Sequence, residues 1–253
     1  MSETLKIGLV QHDIIWEDKT ANFKKIRRMI SSRKADIFIL PEMFATGYTN
    51  KSGQFFEKTG GETESFLKET ALKKQCYIGG GWIEKNPSGK PFNSYSIASP
   101  EGKITVRYRK IHPFSYAGED KNYSAGEKTV LFKIGNFRLS IGICYDLRFP
   151  ELFRSLAGKT DIFLLPANWP KERIHQFEIL LAARSIENQC VMAAVNRVGQ
   201  AGGIEYNGQS ALYFPDASRE VVGPEEKTAV FEVSLDELKK FRHDFPVLKD
   251  RRL

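Results

Sequence analysis

Short apolar runs rich in β-branched residues alternate along the chain with longer stretches whose apolar residues recur at helical spacing, which is the pattern of an α/β protein. The runs predict strands near 5–11, 36–41, 76–82, 93–99, 103–109, 129–134, 137–144, 161–166, 190–196, 209–214 and 228–233. The amphipathic stretches predict helices near 20–33, 62–75, 148–157, 171–188 and 235–242. With about two strands for every helix, the helices cannot each cross over between neighbours in a single doubly wound sheet.

The two halves of the chain carry the same segments in the same order. Ile7-Gly8-Leu9 returns as Ile141-Gly142-Ile143, and Asp36-Ile37-Phe38-Ile39-Leu40-Pro41 returns as Asp161-Ile162-Phe163-Leu164-Leu165-Pro166. Gln75-Cys76 is matched by Gln189-Cys190, and the turn Ser99-Pro100-Glu101-Gly102 by Phe214-Pro215-Asp216-Ala217. We read two copies of a β-α-β-α-β-β unit. Each copy forms a sheet with helices on one face, and its other face is buried most simply against the second copy, giving a four-layer α-β-β-α sandwich. No Pro-, Gly- or Ser-rich linker parts the halves, so residues 1–253 are expected to share one core as one domain.

Composition narrows the function classes. A chain of 253 residues with 41% hydrophobic and 12% aromatic residues builds a core, which excludes disordered and fibrous classes. The +7 net charge invites a nucleic-acid reading, but the basic residues are spread along the chain, so no nucleic-acid partner is expected. No apolar run reaches the roughly 18 residues of a membrane span, and residues 1–9 lack the layout of a signal peptide, so no membrane partner and a cytoplasmic location are expected. Cys76, Cys144 and Cys190 are an odd set without a C-x-x-C pair, which argues against a disulfide framework. The four histidines fall at no metal-ligand spacing.

Ligands of open α/β sheets bind beyond the carboxyl ends of strands, and three such ends deliver reactive side chains. They are Pro41-Glu42-Met43-Phe44, Arg109-Lys110-Ile111-His112 and Cys144-Tyr145-Asp146. Cys144 at a strand-to-helix junction lies near helix amides that favour a thiolate and can hold an oxyanion; the competing reading is a buried structural cysteine. Glu42 follows a run apolar on both faces, so desolvation is expected to raise its pKa towards that of a useful base, unless it is a loop or ion-pair residue. Lys110 follows an alternating strand and reads equally as a solvated lysine. Together the three supply a nucleophile, a cation for developing negative charge and a proton shuttle. Cys76 and Cys190, at equivalent strand starts, are assigned to the core. Gly158-Lys159-Thr160 lacks the first glycine of a phosphate loop and reads as a helix C-cap, and Ser210 lacks the second glycine of a nucleophile elbow.

These residues resemble the nitrilase superfamily of carbon–nitrogen hydrolases. The matching pieces are Leu40-Pro41-Glu42-Met43-Phe44, Tyr108-Arg109-Lys110-Ile111-His112 and Cys144-Tyr145-Asp146-Leu147-Arg148-Phe149-Pro150-Glu151-Leu152, and the resemblance runs from about residue 5 to 250. Within the superfamily the chain is most similar to the omega-amidases, which hydrolyse the side-chain amide of 2-oxoglutaramate or 2-oxosuccinamate. The cues are the cysteine segment with Ala167-Asn168-Trp169-Pro170 and Asn196-Arg197-Val198-Gly199. One departure is Pro113 before Phe114, where relatives often carry leucine, in a loop that borders the pocket. The resemblance implies the same sandwich fold, usually as a homodimer, and amide hydrolysis by Glu42, Lys110 and Cys144 through a thioester, with Glu119 as a supporting glutamate and no cofactor or metal. The implied partner is a small-molecule amide. The backbone N–H of Tyr145 is expected at the oxyanion, Arg148 and Arg173 at the substrate carboxylate, and Asn168, Trp169 and Phe114 along the pocket. Deaminated-glutathione amidase, N-carbamoyl-amino-acid hydrolase and nitrilase activities use the same triad and remain as alternatives, as does a non-catalytic binding module on the same fold.

Overall fold

Alternation along each strand decides which layer a side chain joins. In the computed structural model, which describes residues 3–252, Ile37 and Ile39 point into a core shared with Leu139, Ile141 and Ile143, whereas Phe38 and Leu40 point the other way and pack on Phe23, Ile26, Phe66 and Leu67. In chain order the strands are β1 (Thr4–Gln11), β2 (Ile37–Ile39), β3 (Tyr77–Glu84), β4 (Phe92–Ala98), β5 (Ile104–Arg109), β6 (Phe132–Ile134), β7 (Phe137–Ile141), β8 (Ile162–Pro166), β9 (Val191–Val195), β10 (Val198–Ala201), β11 (Ile204–Asn207), β12 (Ala211–Tyr213), β13 (Arg219–Val221) and β14 (Lys227–Ser234). The helices are α1 (Lys19–Ile30), α2 (Ser52–Phe55), α3 (Glu62–Lys74), α4 (Glu119–Asn122), α5 (Pro150–Arg154), α6 (Ile174–Asn188) and α7 (Leu235–Asp244). Asp18 caps α1 by accepting the Ala21 N–H at 2.9 Å, and α1 buries Phe23, Ile26 and Ile30 on one stripe.

Two six-stranded sheets result, with orders β14-β1-β2-β3-β4-β5 and β13-β12-β9-β8-β7-β6. Read from opposite ends they are the same sheet twice, parallel at β1-β2-β3 and β7-β8-β9 and antiparallel outside. The architecture is the α-β-β-α sandwich expected from the repeat. Each half is longer than a β-α-β-α-β-β unit by an edge strand, β5 or β13, and β14 and β6 complete the opposite edges. Three strands escaped the hydrophobic pattern: β13 is exposed throughout, and β10 and β11 form a separate two-stranded hairpin between β9 and β12. Among the described residues no helix is long and apolar enough to cross a membrane.

The repeat extends to individual hydrogen bonds. Asp36 and Asp161 each accept a backbone N–H from the neighbouring strand, from Lys6 at 2.7 Å and from Arg138 at 2.9 Å. Gln75 and Gln189 end α3 and α6 in the left-handed region at φ 53° and 47°, and Cys76 and Cys190 behind them are 4% and 0% exposed. The two hairpin turns share a bonding pattern, Ser99 with Lys103 and Phe214 with Ser218, and φ is 71° at both Gly102 and Ala217. One sequence match is displaced. Ile7 pairs with Ile37 and Leu139 pairs with Ile162, so the counterpart of Ile7-Gly8-Leu9 is Leu139-Ser140-Ile141 rather than Ile141-Gly142-Ile143. A two-residue slip keeps side chains on the same face, which is why the sequence pattern tolerates it.

The copies differ in how the shared aspartate is used. Asp36 is exposed, whereas Asp161 is 2% exposed and bonded to Arg138 and Arg242. Burial pushes the Asp161 carboxyl up, but the two guanidiniums and the Arg138 amide outweigh it and hold it below the ordinary carboxylate range. Asp161→Ala is therefore expected to cost about 3–5 kcal/mol, and Asp36→Ala about 0.5–1.5 kcal/mol, in urea denaturation at neutral pH. The Asp161 contribution is present above the unfolded carboxyl pKa and lost as the pH falls through the lower folded value, so the gap narrows in acid. Equal costs for the two variants at neutral pH would contradict this account.

Candidate active site

Four strand ends converge on a cavity of about 270 Å³ lined by Glu42, Tyr48, Lys110, Cys144, Asn168 and a ring of aromatic and cationic groups. Glu42 stands three residues past β2, Lys110 directly after β5, Cys144 three residues past β7 and Asn168 two past β8, while Glu119 opens α4. The cysteine and the residue after the glutamate both have left-handed backbones, with φ 46° at Cys144 and 45° at Met43. Such φ values are strained in non-glycine residues and mark sharp turns that hold a side chain at a fixed angle. Gly81 on β3 makes the first turn possible, because a Cβ there would lie 2.5 Å from Met43 N and 2.9 Å from Glu42 Cα.

Glu42 and Glu119 are 0% exposed and Lys110 is 1% exposed. Lys110 Nζ donates to Glu42 Oε1 at 2.9 Å and to Glu119 Oε2 at 2.8 Å. The Glu42 carboxylate accepts further bonds from Asn93 Nδ2 at 2.7 Å and from the Asn168 N–H at 3.0 Å. Glu119 also accepts from Asn93 Nδ2 at 2.8 Å and from the Phe114 N–H at 2.6 Å. Burial pushes Glu42 up, but Lys110, Asn93 and Asn168 outweigh it, so the carboxylate lies below the ordinary range and is ionised. This reverses the expectation of a raised Glu42 pKa: desolvation was legible in the sequence, but the donors that oppose it come from distant segments. Burial likewise works against the Lys110 cation, and Glu119 with Glu42 overcomes it and holds the ammonium.

Cys144 lines the cavity, its Sγ 3.9 Å from the Asn168 carbonyl oxygen. Burial and the Glu42 carboxylate push the thiol well above its free value, against a smaller pull from Lys110. The resting sulfur is a neutral thiol beside an ionised carboxylate, which corrects the expectation that helix amides would favour a thiolate; the turn that Cys144 opens is a five-residue 3₁₀ segment, Cys144–Arg148. Cys76 and Cys190, away from the cavity, are pushed up to about 11 and about 12 by burial.

Of the remaining expected residues, Tyr145, Arg148, Trp169, Phe114 and Arg173 all line the cavity. Phe114 packs on Tyr145 with centroids 4.7 Å apart. Arg148 stacks over Trp169 at 4.8 Å and donates to Gln176 at 2.7 Å, and Arg173 lies 5.8 Å from the Phe114 ring and 3.7 Å from exposed Glu172. Asn168 lines the cavity as well, and also directs its Nδ2 to the backbone oxygen of Glu42 at 2.6 Å and to Oε2 at 3.3 Å. It holds the carboxylate. Gly158 lies in the turn after α5, and Ser210 is buried and bonded to Gln11, so neither rival motif reaches the cavity.

Sequence reasoning missed Asn93, Tyr48, Tyr206, Ile204 and Asp146. Tyr48 has a buried hydroxyl with no hydrogen-bond partner among the described residues, and Tyr206 and Ile204 come from the unpredicted β10–β11 hairpin. Asp146, 0% exposed, accepts from the Ile143 N–H (2.9 Å), the His112 N–H (2.9 Å), His112 Nδ1 (2.7 Å) and Tyr108 OH (2.8 Å). It thereby fastens the cysteine turn to the segment after Lys110. An acid two residues past the cysteine was visible, but not its role.

The carbon-nitrogen hydrolase profile matches residues 6–243, and the chain belongs to that family. It is similar to proteins named omega-amidase YafV of Yersinia enterocolitica, 35% identical over 98% of this chain and 96% of the relative, and 2-oxoglutaramate amidase of Bacillus subtilis, 34% identical over 97% of both. Among solved structures, a CN-hydrolase superfamily protein from Xanthomonas campestris with an arsenic adduct in its active site superposes with a TM-score of 0.94, at 30% identity over 99% of this chain and 98% of that one.

Asp146→Asn places an NH₂ group among buried donors, with the loss of at least one accepted bond, and is expected to destabilise the protein by about 2–4 kcal/mol in chemical denaturation. Exposed Asp120→Asn serves as the control and is expected within about 0.5 kcal/mol of the parent. A neutral Asp146→Asn would show that the fastening role is wrong.

Proposed function

We propose that the protein is an amidase that hydrolyses a non-peptide C–N bond through a thioester at Cys144, releasing ammonia. The observation that carries this reading is the convergence of Glu42, Lys110 and Cys144 from separate elements on one cavity, with Glu119 buried behind Lys110 and paired with it. In the first half-reaction the Cys144 sulfur bonds to the amide carbon as its proton passes to Glu42. The Lys110 ammonium and the Tyr145 N–H hold the tetrahedral oxyanion. The C–N bond then breaks, and Glu42 returns the proton to the leaving nitrogen as ammonia. In the second half-reaction water gives a proton to Glu42 as its oxygen bonds to the thioester carbon. The C–S bond breaks, and the proton returns to sulfur.

The preferred substrates are 2-oxoglutaramate and 2-oxosuccinamate. This follows the names of the relatives and the donor-rich walls of the cavity, where Arg148 and Arg173 face a ligand that carries a carboxylate, with Trp169 and Phe114 as apolar sides. The reading includes a cytoplasmic homodimer built from single-domain subunits, and light scattering on a sizing column checks the subunit number.

Ammonia release from the two 2-oxo amides, with deaminated glutathione, a carbamoyl amino acid and a simple nitrile as comparators, tests the proposal. We expect rapid release from the 2-oxo amides, none with Cys144→Ala, and a loss of about 100- to 1000-fold with Lys110→Ala. Turnover of a comparator alone moves the protein to another branch of the family, and full activity in Cys144→Ala removes the mechanism. The pH profile is equally specific. Glu42 must be ionised and the Cys144 thiol protonated, and their shifts are downward and upward. Activity is therefore expected to fall on the acid side only below the ordinary carboxylate range and to hold through neutral and mildly alkaline pH.

A further inference from the structure

Asn93, the second residue of β4, is 1% exposed. Its backbone carbonyl accepts the Lys110 N–H at 2.8 Å, and its Nδ2 lies 2.7 Å from Glu42 Oε1 and 2.8 Å from Glu119 Oε1. Lys110 Nζ touches the same two oxygens, at 2.9 and 3.2 Å. The four atoms close a ring in which donors and acceptors alternate, Asn93 Nδ2, Glu42 Oε1, Lys110 Nζ and Glu119 Oε1. Both hydrogens of the amide are consumed, one on each carboxylate. Reversing the amide would set its oxygen against two anions, so its orientation is dictated by the site, and Oδ1 has no partner.

We propose that Asn93 is a positioning residue that holds Glu42 and Glu119 as a matched pair of anions around Lys110, leaving Glu42 Oε2 as the oxygen that exchanges the proton with Cys144. The inference rests on Cys144 and Glu42 acting as nucleophile and base. Oε1 is occupied by two short donors, whereas Oε2 has the Asn168 N–H at 3.0 Å and the longer Asn168 Nδ2 contact at 3.3 Å. The same Asn168 residue meets Cys144 Sγ through its backbone carbonyl, which points to Oε2 as the oxygen on the thiol side. The proton leaves sulfur as the S–C bond forms and arrives on Oε2, and the 3.3 Å contact is the one that yields. Besides the two asparagines, the groups facing Glu42 are the Lys110 ammonium, the Glu119 carboxylate, the Cys144 thiol and the phenols of Tyr48, Tyr123 and Tyr206. Burial pushes all three phenols up and the two carboxylates hold the Lys110 charge, so an acid limb reports Glu42.

Asn93→Leu removes both donors at similar size, and Asn93→Thr keeps one. Two pH profiles are measured: kcat/KM for 2-oxoglutaramate, and the rate of Cys144 alkylation by iodoacetamide located by peptide mass, which needs no substrate. Because a hydrogen bond to a charged group is equivalent to about one to two pH units, we expect the acid limb of both profiles to move up by that amount in Asn93→Leu and by less in Asn93→Thr. We also expect kcat to fall while KM changes less than about twofold. A folded variant whose acid limbs coincide with those of the parent overturns the proposal, and if Asn93→Leu does not fold, Asn93→Thr decides by the same criterion. If the parent releases no ammonia from any amide but the alkylation limb moves, the functional reading fails and the positioning role stands. Turnover with unmoved limbs leaves the function and removes the role.

Discussion

The site depends on one buried ammonium held between two buried carboxylates. An ion taken out of water loses several kcal/mol of solvation, and a single opposite charge does not reliably repay it. Lys110 has two partners, and the surplus negative charge is spread over the Asn93 amide and the N–H groups of Phe114 and Asn168. The cluster is therefore costly to assemble and costly to break at any one member. It draws on the segments after β2, β5 and β8, on β4 and on α4, so it cannot form until both sheets are in place. Lys110 keeps Glu42 ionised, and burial together with that carboxylate raises the Cys144 thiol, so the two groups rest as an anion and a neutral thiol.

The sandwich is nearly symmetric and the chemistry is not. Pro41 and Pro166 end equivalent segments, yet the first is followed by an acid and the second by Ala167 and Asn168, whose backbone and side chain bind that acid. Duplication supplies two facing strand ends, and divergence gives one a carboxylate and the other its clamp. The β10–β11 hairpin, which interrupts the second copy between β9 and β12, breaks the symmetry again at the cavity mouth.

The layers, the order of elements and the meeting of Glu42, Lys110 and Cys144 at strand ends were legible in the sequence, because alternation and repetition are local signals. Features that depend on distant segments were not. The ionisation of Glu42 is set by Lys110, with Asn93 and Asn168, which lie 68, 51 and 126 positions away. Lys110 ends an alternating strand and looks solvated, but the α4 segment folds over it and supplies Glu119. The hairpin went unseen because Val198–Ala201 and Ile204–Asn207 are only four residues each, too short for a pattern of apolar positions to stand out; Arg197, buried beside it, packs its guanidinium on Tyr206 and reaches Asp13.

That hairpin is joined to the sandwich at its base and to the rim by Lys171 and Glu205, 2.7 Å apart, while a Cβ added to Gly202 or Gly203 at its tip would meet nothing within 4 Å. None of the charged cluster at the cavity floor is built from it. The cavity wall is therefore composite: one stretch of it belongs to a segment whose length and side chains can vary without touching the buried charges below.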